Sequence, residues 1–455
     1  MENATRLHNS KRLSLLESEE IAKRERPVRL LKIGVWLYFF LLIFEGALRK
    51  WFLPGFSELI LIIRDPVGIV IMVYAWYYRL FPTVNYIVAM FIIGGIAFFT
   101  TLFIGHGNIF VSLFGARILL IHFPLIFLIG TFFNKDDVIK MGKVIVWISI
   151  PMVILIALQF YSPQSALVNR GVGGNLEGSG FSGAMEFFRP SGTFSFTNGT
   201  TLFFSMAASF IFYFWLRPNG VHKIVLLAAT VALIAAIPLS ISRGLVFSIG
   251  VILIFLIFSV SQKPKFMGQI VVTLISFFIL VFFLQKIEFF QTSTEVLQTR
   301  FDNAARSEGG LEGTLVDRYL GGLISAIVEA DERPFFGKGL GLGTNAGSAL
   351  MGSGRVFLLS EGEWGRLIGE MGAVLGIATI VIRLLLSFDY ALKSFRALKR
   401  EKILPWMLLS FALLVFPQGQ WAQPTTLGFS TLIMGLLIAS LNDVKHPATD
   451  SGKQE

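Results

Sequence analysis

Residues 141–161 read MGKVIVWISIPMVILIALQFY, an apolar run that carries a single charged side chain, Lys143. A helix needs about 20 such residues to cross the hydrocarbon core of a bilayer. Lipid offers backbone groups no hydrogen-bond partners, so a segment of this kind crosses as a helix. This stretch therefore predicts a membrane-spanning helix and decides the fold class of the chain.

Similar runs lie on both sides of this stretch. The candidate spans are 31–47, 57–77, 84–104, 109–131, 141–161, 199–216, 223–240, 244–261, 267–285, 364–387, 404–418 and 424–441. The composition agrees with them, because 54% of the residues are hydrophobic and only 15% are charged. Soluble domains carry about 25% charged residues. We therefore expect an all-α polytopic membrane protein with about twelve transmembrane helices.

The distribution of lysine and arginine between the loops predicts the orientation. Basic residues concentrate in the first tail and in every second loop, whereas the short loops on the other side hold only Arg49, Lys50 and Arg243. Cytoplasmic loops carry the excess of positive charge. Both termini are therefore expected on the cytoplasmic side of the membrane, as in a protein of an inner membrane.

This orientation divides the chain into tails, helices and two long extracytoplasmic segments. Long loops without secondary structure are uncommon unless they are functional, so these segments are the expected place of any chemistry. The predicted divisions are a cytoplasmic tail 1–30, helices within 31–285 with an outside loop 162–198, a long periplasmic loop 286–363 containing amphipathic helices, helices within 364–441, and a cytoplasmic tail 442–455.

Charged side chains inside a bilayer are costly and mark candidate functional sites. The candidates, which include one histidine, are Glu45, Arg64, Asp65, Arg117, His122 and Arg243. Glu45 and Arg49 share a helix face and can pair. The group lies mostly in the outer half of the predicted membrane, which indicates a site that opens outward. Transporters concentrate such residues near the midplane. Structural pairing between helices is the alternative for each of these residues.

Several kinds of site are not indicated by the sequence. The chain has no Cys, which excludes disulfides and thiol catalysis. GSGFSG at 178–183 matches a dinucleotide-binding pattern but follows no predicted strand. The histidines are scattered and suggest no metal site. Most basic residues flank apolar runs, so the net charge of +10 indicates contact with lipid headgroups rather than nucleic acid.

The remaining signal is an ordered set of short motifs on the predicted outer face. They are SRG with Arg243, an Arg before an amphipathic stretch (Arg318), P-x-x-G-x-G with Pro334, Gly337 and Gly339, and E-x-G with Glu370 and Gly372. In order and approximate spacing this set resembles the superfamily of O-antigen ligases and O-unit polymerases over roughly residues 110–390. The segments EGALRKWFLP and RDP resemble a polymerase-like subgroup.

The resemblance implies a GT-C-like, metal-independent membrane glycosyltransferase without a cofactor. Its donor would be an undecaprenyl-diphosphate-linked oligosaccharide, its acceptor a glycan or lipid, and its active site would face the periplasm. Arg243 and Arg318 would bind the diphosphate, because guanidinium groups stay charged and bind phosphate bidentately. Further substrate-binding candidates are Arg189, Arg117 and Arg366. Each of these arginines has an alternative as a headgroup contact or ion-pair partner.

One departure from the ligases concerns the general base. Where they have a histidine about nine residues before the E-x-G glutamate, this chain has Glu361, with Glu363 nearby. A glutamate beside apolar neighbours such as Trp364 can take the proton of an attacking hydroxyl. Serving the helix N-terminus is the alternative. The missing histidine favours a polymerase of O-antigen or exopolysaccharide repeats over a lipopolysaccharide ligase. A sugar transporter and an inactive scaffold of a polysaccharide-export complex remain as rivals.

Overall fold

The computed structural model describes residues 26–178, 180–218, 220–261, 268, 286–307, 335–344, 347, 351 and 362–442. Within these ranges the secondary structure is helical, apart from an isolated bridge between Ser182 and Phe188. The longer helices, numbered in chain order, are α1 Arg26–Phe52, α2 Pro54–Tyr77, α3 Asn85–Phe103, α4 Ile109–Phe132, α5 Lys135–Tyr161, α6 Thr197–Leu216, α7 Lys223–Leu239, α8 Arg243–Ser261, α9 Glu288–Ser307, α10 Glu363–Lys399, α11 Ile403–Val415 and α12 Pro424–Leu441.

These helices confirm the polytopic membrane fold. Nine of the described helices are long and apolar enough to cross a membrane, and α7 and α11 are shorter apolar helices. All eleven coincide with predicted spans. The predicted span 267–285 lies outside the described residues except for Gly268, so a total of twelve stays a prediction. Helix α10 continues to Lys399, beyond the predicted end at 387, and its last turns carry the charged residues Asp389, Lys393, Arg396 and Lys399.

The core of the bundle is formed by α6 and α12. In each of them 83% of the spanning window is buried, against 28% for α3 at the periphery. Small residues permit this packing: a Cβ on Gly435 would lie 2.7 Å from Ile129, and one on Gly130 would lie 2.4 Å from Ile438. Close backbone approach of this kind drives helix association in lipid, where hydrophobicity does not. Helix α12 therefore packs directly on α4.

Local sequence signals determine where helices start and break. Asn134 and Asp137 form a capping box at the start of α5, which satisfies two of its free N–H groups. Helix α10 is interrupted at Gly372, whose φ of 77° is accessible at low cost only to glycine. Residues 162–196 join α5 to α6. We call the end of the bundle at which these residues lie the loop end.

Candidate functional site

The last turn of α1 points two consecutive cations into the protein at the loop end. It is a π-helical turn, Leu48–Phe52, a distortion that is frequent at functional sites. Arg49 and Lys50 are 6% and 1% exposed. Arg49 lies 3.3 Å from Glu45, which also lies 3.4 Å from Arg64 of α2. The predicted pairing of Glu45 with Arg49 is confirmed.

Both cations hold segment 189–195, the stretch that precedes α6. Lys50 Nζ donates to Ser191 Oγ at 3.0 Å and to the carbonyl oxygen of Gly192 at 2.7 Å. The neighbouring guanidinium donates to Ser195 Oγ at 2.8 Å. Basic residues at a membrane surface usually extend toward headgroups. Here they anchor a loop instead.

A second buried network surrounds Asp65 of α2. Arg117 Nη1 donates to both oxygens of Asp65 at 2.9 Å. His122 Nε2 lies 2.8 Å from the same carboxylate, and its Nδ1 lies 2.9 Å from the hydroxyl of Tyr38. These groups link α1, α2 and α4. The geometry fits the interhelical pairing considered for Arg117 and His122, and Arg117 is 6% exposed.

A third network, the Glu363 network, lies where α10 begins. Glu363 Oε1 accepts from Arg366 at 2.9 Å and from Arg383 at 2.7 Å, and Oε2 accepts from Arg366 and from the backbone N–H of Trp421, both at 3.0 Å. Arg366 also lies 2.6 Å from Glu370. All four lone-pair positions of Glu363 are thus occupied.

This geometry bears on the expected general base. The sequence predicted apolar surroundings for Glu363, but two guanidinium groups and an N–H surround it. Hydrogen bonds and nearby cations favour the ionised form of a carboxylate and oppose proton uptake. Its exposure of 4% also limits contact with an acceptor sugar. The environment of Glu363 is therefore that of an ion-paired structural carboxylate, and Arg366 is occupied in the same network.

The motif glycines pack against each other across the Glu363 network. The N–H of Gly339 donates to the carbonyl oxygen of Glu370 at 2.9 Å. A Cβ on Gly372 would lie 1.9 Å from the carbonyl oxygen of Phe335, and one on Gly337 would lie 2.4 Å from the backbone nitrogen of Gly372. The glycines of P-x-x-G-x-G and E-x-G therefore allow segment 335–344 to dock on α10 backbone to backbone.

Three arginines from separate elements converge at the loop end and form the arginine cluster. They are Arg189 of segment 189–195, Arg243 at the start of α8 and Arg300 of α9, and all three are half-buried. Arg300 Nη1 lies 3.4 Å from the carbonyl oxygen of Ser182 and 3.3 Å from that of Gly183, which attaches α9 to the loop.

The electrostatics of Arg189 show that these cations lie close together. Burial, together with the positive charges of Arg300 and Arg243, lowers the pKa of Arg189 to about 10. Its Nε is buried and has no hydrogen-bond partner among the described residues. Like charges repel when they are brought together in a partly dry environment, so the arrangement favours a multivalent anion.

The structure thus brings together two of the predicted site residues, Arg189 and Arg243. Arg117 and Arg366 belong to separate buried ion pairs. Two further candidates, Arg318 and Glu361, lie outside the described residues, as does Pro334 of the glycine motif.

Sequence reasoning missed two arginines. Arg300 lies in the predicted periplasmic loop, on an amphipathic helix. Basic residues are disfavoured on that side of the membrane, so its position could have marked it as a candidate. Arg383 interrupts the apolar run IVIRLLL, and the rule that marks intramembrane charges as significant applied to it as well.

The search for metal sites and the comparisons with known proteins identify no further functional residue. In the part of the chain that the structure describes, no group of three or more His, Asp or Glu side chains is placed to hold a metal ion. No protein-family model matches the chain, and a search of curated proteins found no significant match.

Proposed function

We propose that this protein is a metal-independent glycosyltransferase that uses an undecaprenyl-diphosphate-linked oligosaccharide at the extracytoplasmic face of a bacterial inner membrane. The observation that carries the proposal is the arginine cluster: three half-buried guanidinium groups whose positive charges act on one another at one end of an apolar helix bundle. A lipid-linked diphosphate supplies both the negative charge that this cluster favours and the hydrocarbon chain that fits beside the helices.

The chemistry follows from the charge that develops during transfer. The sugar hydroxyl of the acceptor attacks the anomeric carbon, the bond to the diphosphate breaks, and negative charge grows on the departing phosphate oxygens. Preorganised cations stabilise that charge more in the transition state than in the ground state. Arginine suits this role because it stays charged and donates two parallel hydrogen bonds. Direct displacement of this kind inverts the anomeric centre.

The general base belongs to the stretch before α10 in this proposal. Glu361 and Glu363 were the two candidates, and Glu363 has both oxygens engaged in the Glu363 network. We therefore assign proton removal to Glu361 and the ordering of the helix start to Glu363. Arg318 remains the proposed partner of Arg243 at the diphosphate.

The proposal keeps the topology expected from the sequence. It has about twelve spans in a GT-C-like arrangement. Because both termini are proposed to be cytoplasmic, the loop end faces the periplasm. Arg117 and Arg366 then act on the substrate only through the elements that they hold.

Within this class we favour a polymerase of O-antigen or exopolysaccharide repeats, with export and chain-length proteins as partners. The glutamates in place of the ligase histidine and the RKWFLP and RDP segments support it. A ligase of lipopolysaccharide biosynthesis would instead transfer one glycan to a lipid acceptor.

Lipid-linked glycans from a deletion strain test the proposal. Single repeat units on undecaprenyl diphosphate should accumulate, and purified protein should convert them into a ladder of longer lipid-linked products that mass spectrometry resolves. A single transfer to a lipid core would indicate the ligase. Movement of unmodified glycan across sealed vesicles, without a new glycosidic bond, would indicate a transporter and contradict the proposal.

A further inference from the structure

Lys50 has an unusual environment for a lysine. It is 1% exposed, and within the described ranges no carboxylate lies at salt-bridge distance from it. Its hydrogen bonds go to Ser191 and Gly192. Burying a charge without a counter-charge is costly, and a methionine of similar length would fill the same space without that cost. A buried ionisable residue of a membrane-spanning helix is a candidate functional residue.

The hydrogen-bond acceptors of Lys50 lie close in sequence to Arg189 of the arginine cluster. Ser191 is separated from Arg189 only by Pro190, whose ring fixes φ, and the carbonyl oxygen of Pro190 accepts from Thr200 Oγ1 at 3.3 Å. The position of Ser191 therefore constrains the direction in which the Arg189 side chain leaves the backbone.

Gly192 receives matching support from α5. Gln159 Oε1 accepts from the N–H of Gly192 at 2.7 Å, and Gln159 Nε2 donates to its carbonyl oxygen at 3.2 Å. Gly192 has a φ of 58°, a left-handed conformation that favours glycine. Two polar side chains from α1 and α5 thus fix a turn three residues after Arg189.

We infer that Lys50 is a positioning residue, which holds segment 189–195 so that Arg189 meets the diphosphate of the donor. This inference rests on the proposed function and adds to it a residue that touches no substrate. Lys50 acts through Ser191 and Gly192, and its effect on diphosphate binding passes through Arg189.

A double-mutant cycle tests the inference on the full-length protein in lipid nanodiscs. The probe is undecaprenyl diphosphate, and native mass spectrometry gives its Kd for the wild type, Lys50→Met, Arg189→Ala and the double variant. Lys50→Met should weaken binding about tenfold. In the Arg189→Ala background it should change Kd little, because the residue through which it acts is gone. Lys32→Met, at the opposite end of α1 and paired with Asp137, is the matched control and should bind like the wild type.

The outcomes separate the inference from the proposed function. Additive losses in the cycle, or an unchanged Kd for Lys50→Met beside a weakened Arg189→Ala, would overturn the inference and leave the proposed function intact. Equal binding of undecaprenyl diphosphate and undecaprenol by the wild type would show that the diphosphate contributes nothing to affinity, and would contradict the proposed function itself. If Lys50→Met fails to fold, Ser191→Ala removes one acceptor of Lys50 and should weaken binding about threefold, again only when Arg189 is present.

Discussion

The Glu363 network and the arginine cluster lie at the same end of the bundle but differ in how their charges are arranged. In the Glu363 network two carboxylates face two guanidinium groups, and all four side chains are at most 4% exposed. In the arginine cluster three cations are half-buried and act on one another. Paired charges that are fully buried fix a geometry, whereas half-buried cations that lie close to one another can meet an anionic ligand. On this difference we propose a structural role for the Glu363 network and a substrate-binding role for the arginine cluster.

Removing Glu363 gives the largest expected effect. Glu363→Ala leaves Arg383 buried without a carboxylate, and breaking a buried ion pair costs about 3–5 kcal/mol. We expect the yield of folded protein and its thermal midpoint in detergent to fall, and activity to fall in proportion to folded protein. Glu177→Ala, an exposed loop position, is the control. A well-folded but inactive Glu363→Ala would instead make Glu363 the general base.

Removing a member of the arginine cluster should have the opposite signature. Arg189→Ala and Arg243→Ala should fold normally, because each removes only a half-buried side chain, while the transfer rate falls about 10²–10³-fold through the loss of transition-state stabilisation. Initial rates with lipid-linked repeat units measure this effect. Arg306→Ala removes an exposed arginine of the same α9 and should leave the rate unchanged. Unaltered rates in both cluster variants would dissociate these arginines from catalysis.

The glycine contact between segment 335–344 and α10 predicts a smaller effect. Gly372→Ala forces a side chain into a φ of 77° and into the carbonyl oxygen of Phe335, which should destabilise the protein by about 1–3 kcal/mol. The matched substitution is Gly250→Ala in α8, where a Cβ meets nothing within 4 Å and a helical alanine is favourable. Thermal midpoints should fall for the first variant only. Equal midpoints would show that this docking contributes little to stability.

The smallest effect is expected from pH. Because the pKa of Arg189 is lowered to about 10, the side chain stays charged at neutral pH and loses its proton as the pH rises through that value. Affinity for undecaprenyl diphosphate should be level between about pH 8 and 9 and weaken near pH 10. The charged form is disfavoured in the fold, so the contribution of Arg189 to the free energy of unfolding rises above pH 10. The decline in affinity should be absent in Arg189→Ala.

Sequence reasoning worked where one segment contained the information. Apolar run length predicted the positions of eleven described helices, and the spacing of four residues predicted the pair Glu45–Arg49. Charge bias along the chain singled out Arg243. None of these signals depends on which distant segments pack against each other.

The remaining features depend on tertiary contacts. Arg383 lies 20 residues after Glu363, beyond the break in α10 at Gly372, and the N–H of Trp421 comes from the connection between α11 and α12. Lys50 is buried within a π-helical turn, which no residue pattern in the sequence predicted. The surroundings of Glu363 were therefore mispredicted from its neighbour Trp364, since environment is set by residues distant in the chain.

The position of a bound diphosphate tests the central claim most directly. A cryo-electron-microscopy structure of the full-length protein with undecaprenyl diphosphate should place phosphate oxygens within hydrogen-bonding distance of Arg189 and Arg243, with Arg300 adjacent and the Glu363 network unchanged. Density for the diphosphate elsewhere in the molecule, with the three arginines contacting only protein or bulk lipid, would contradict the claim.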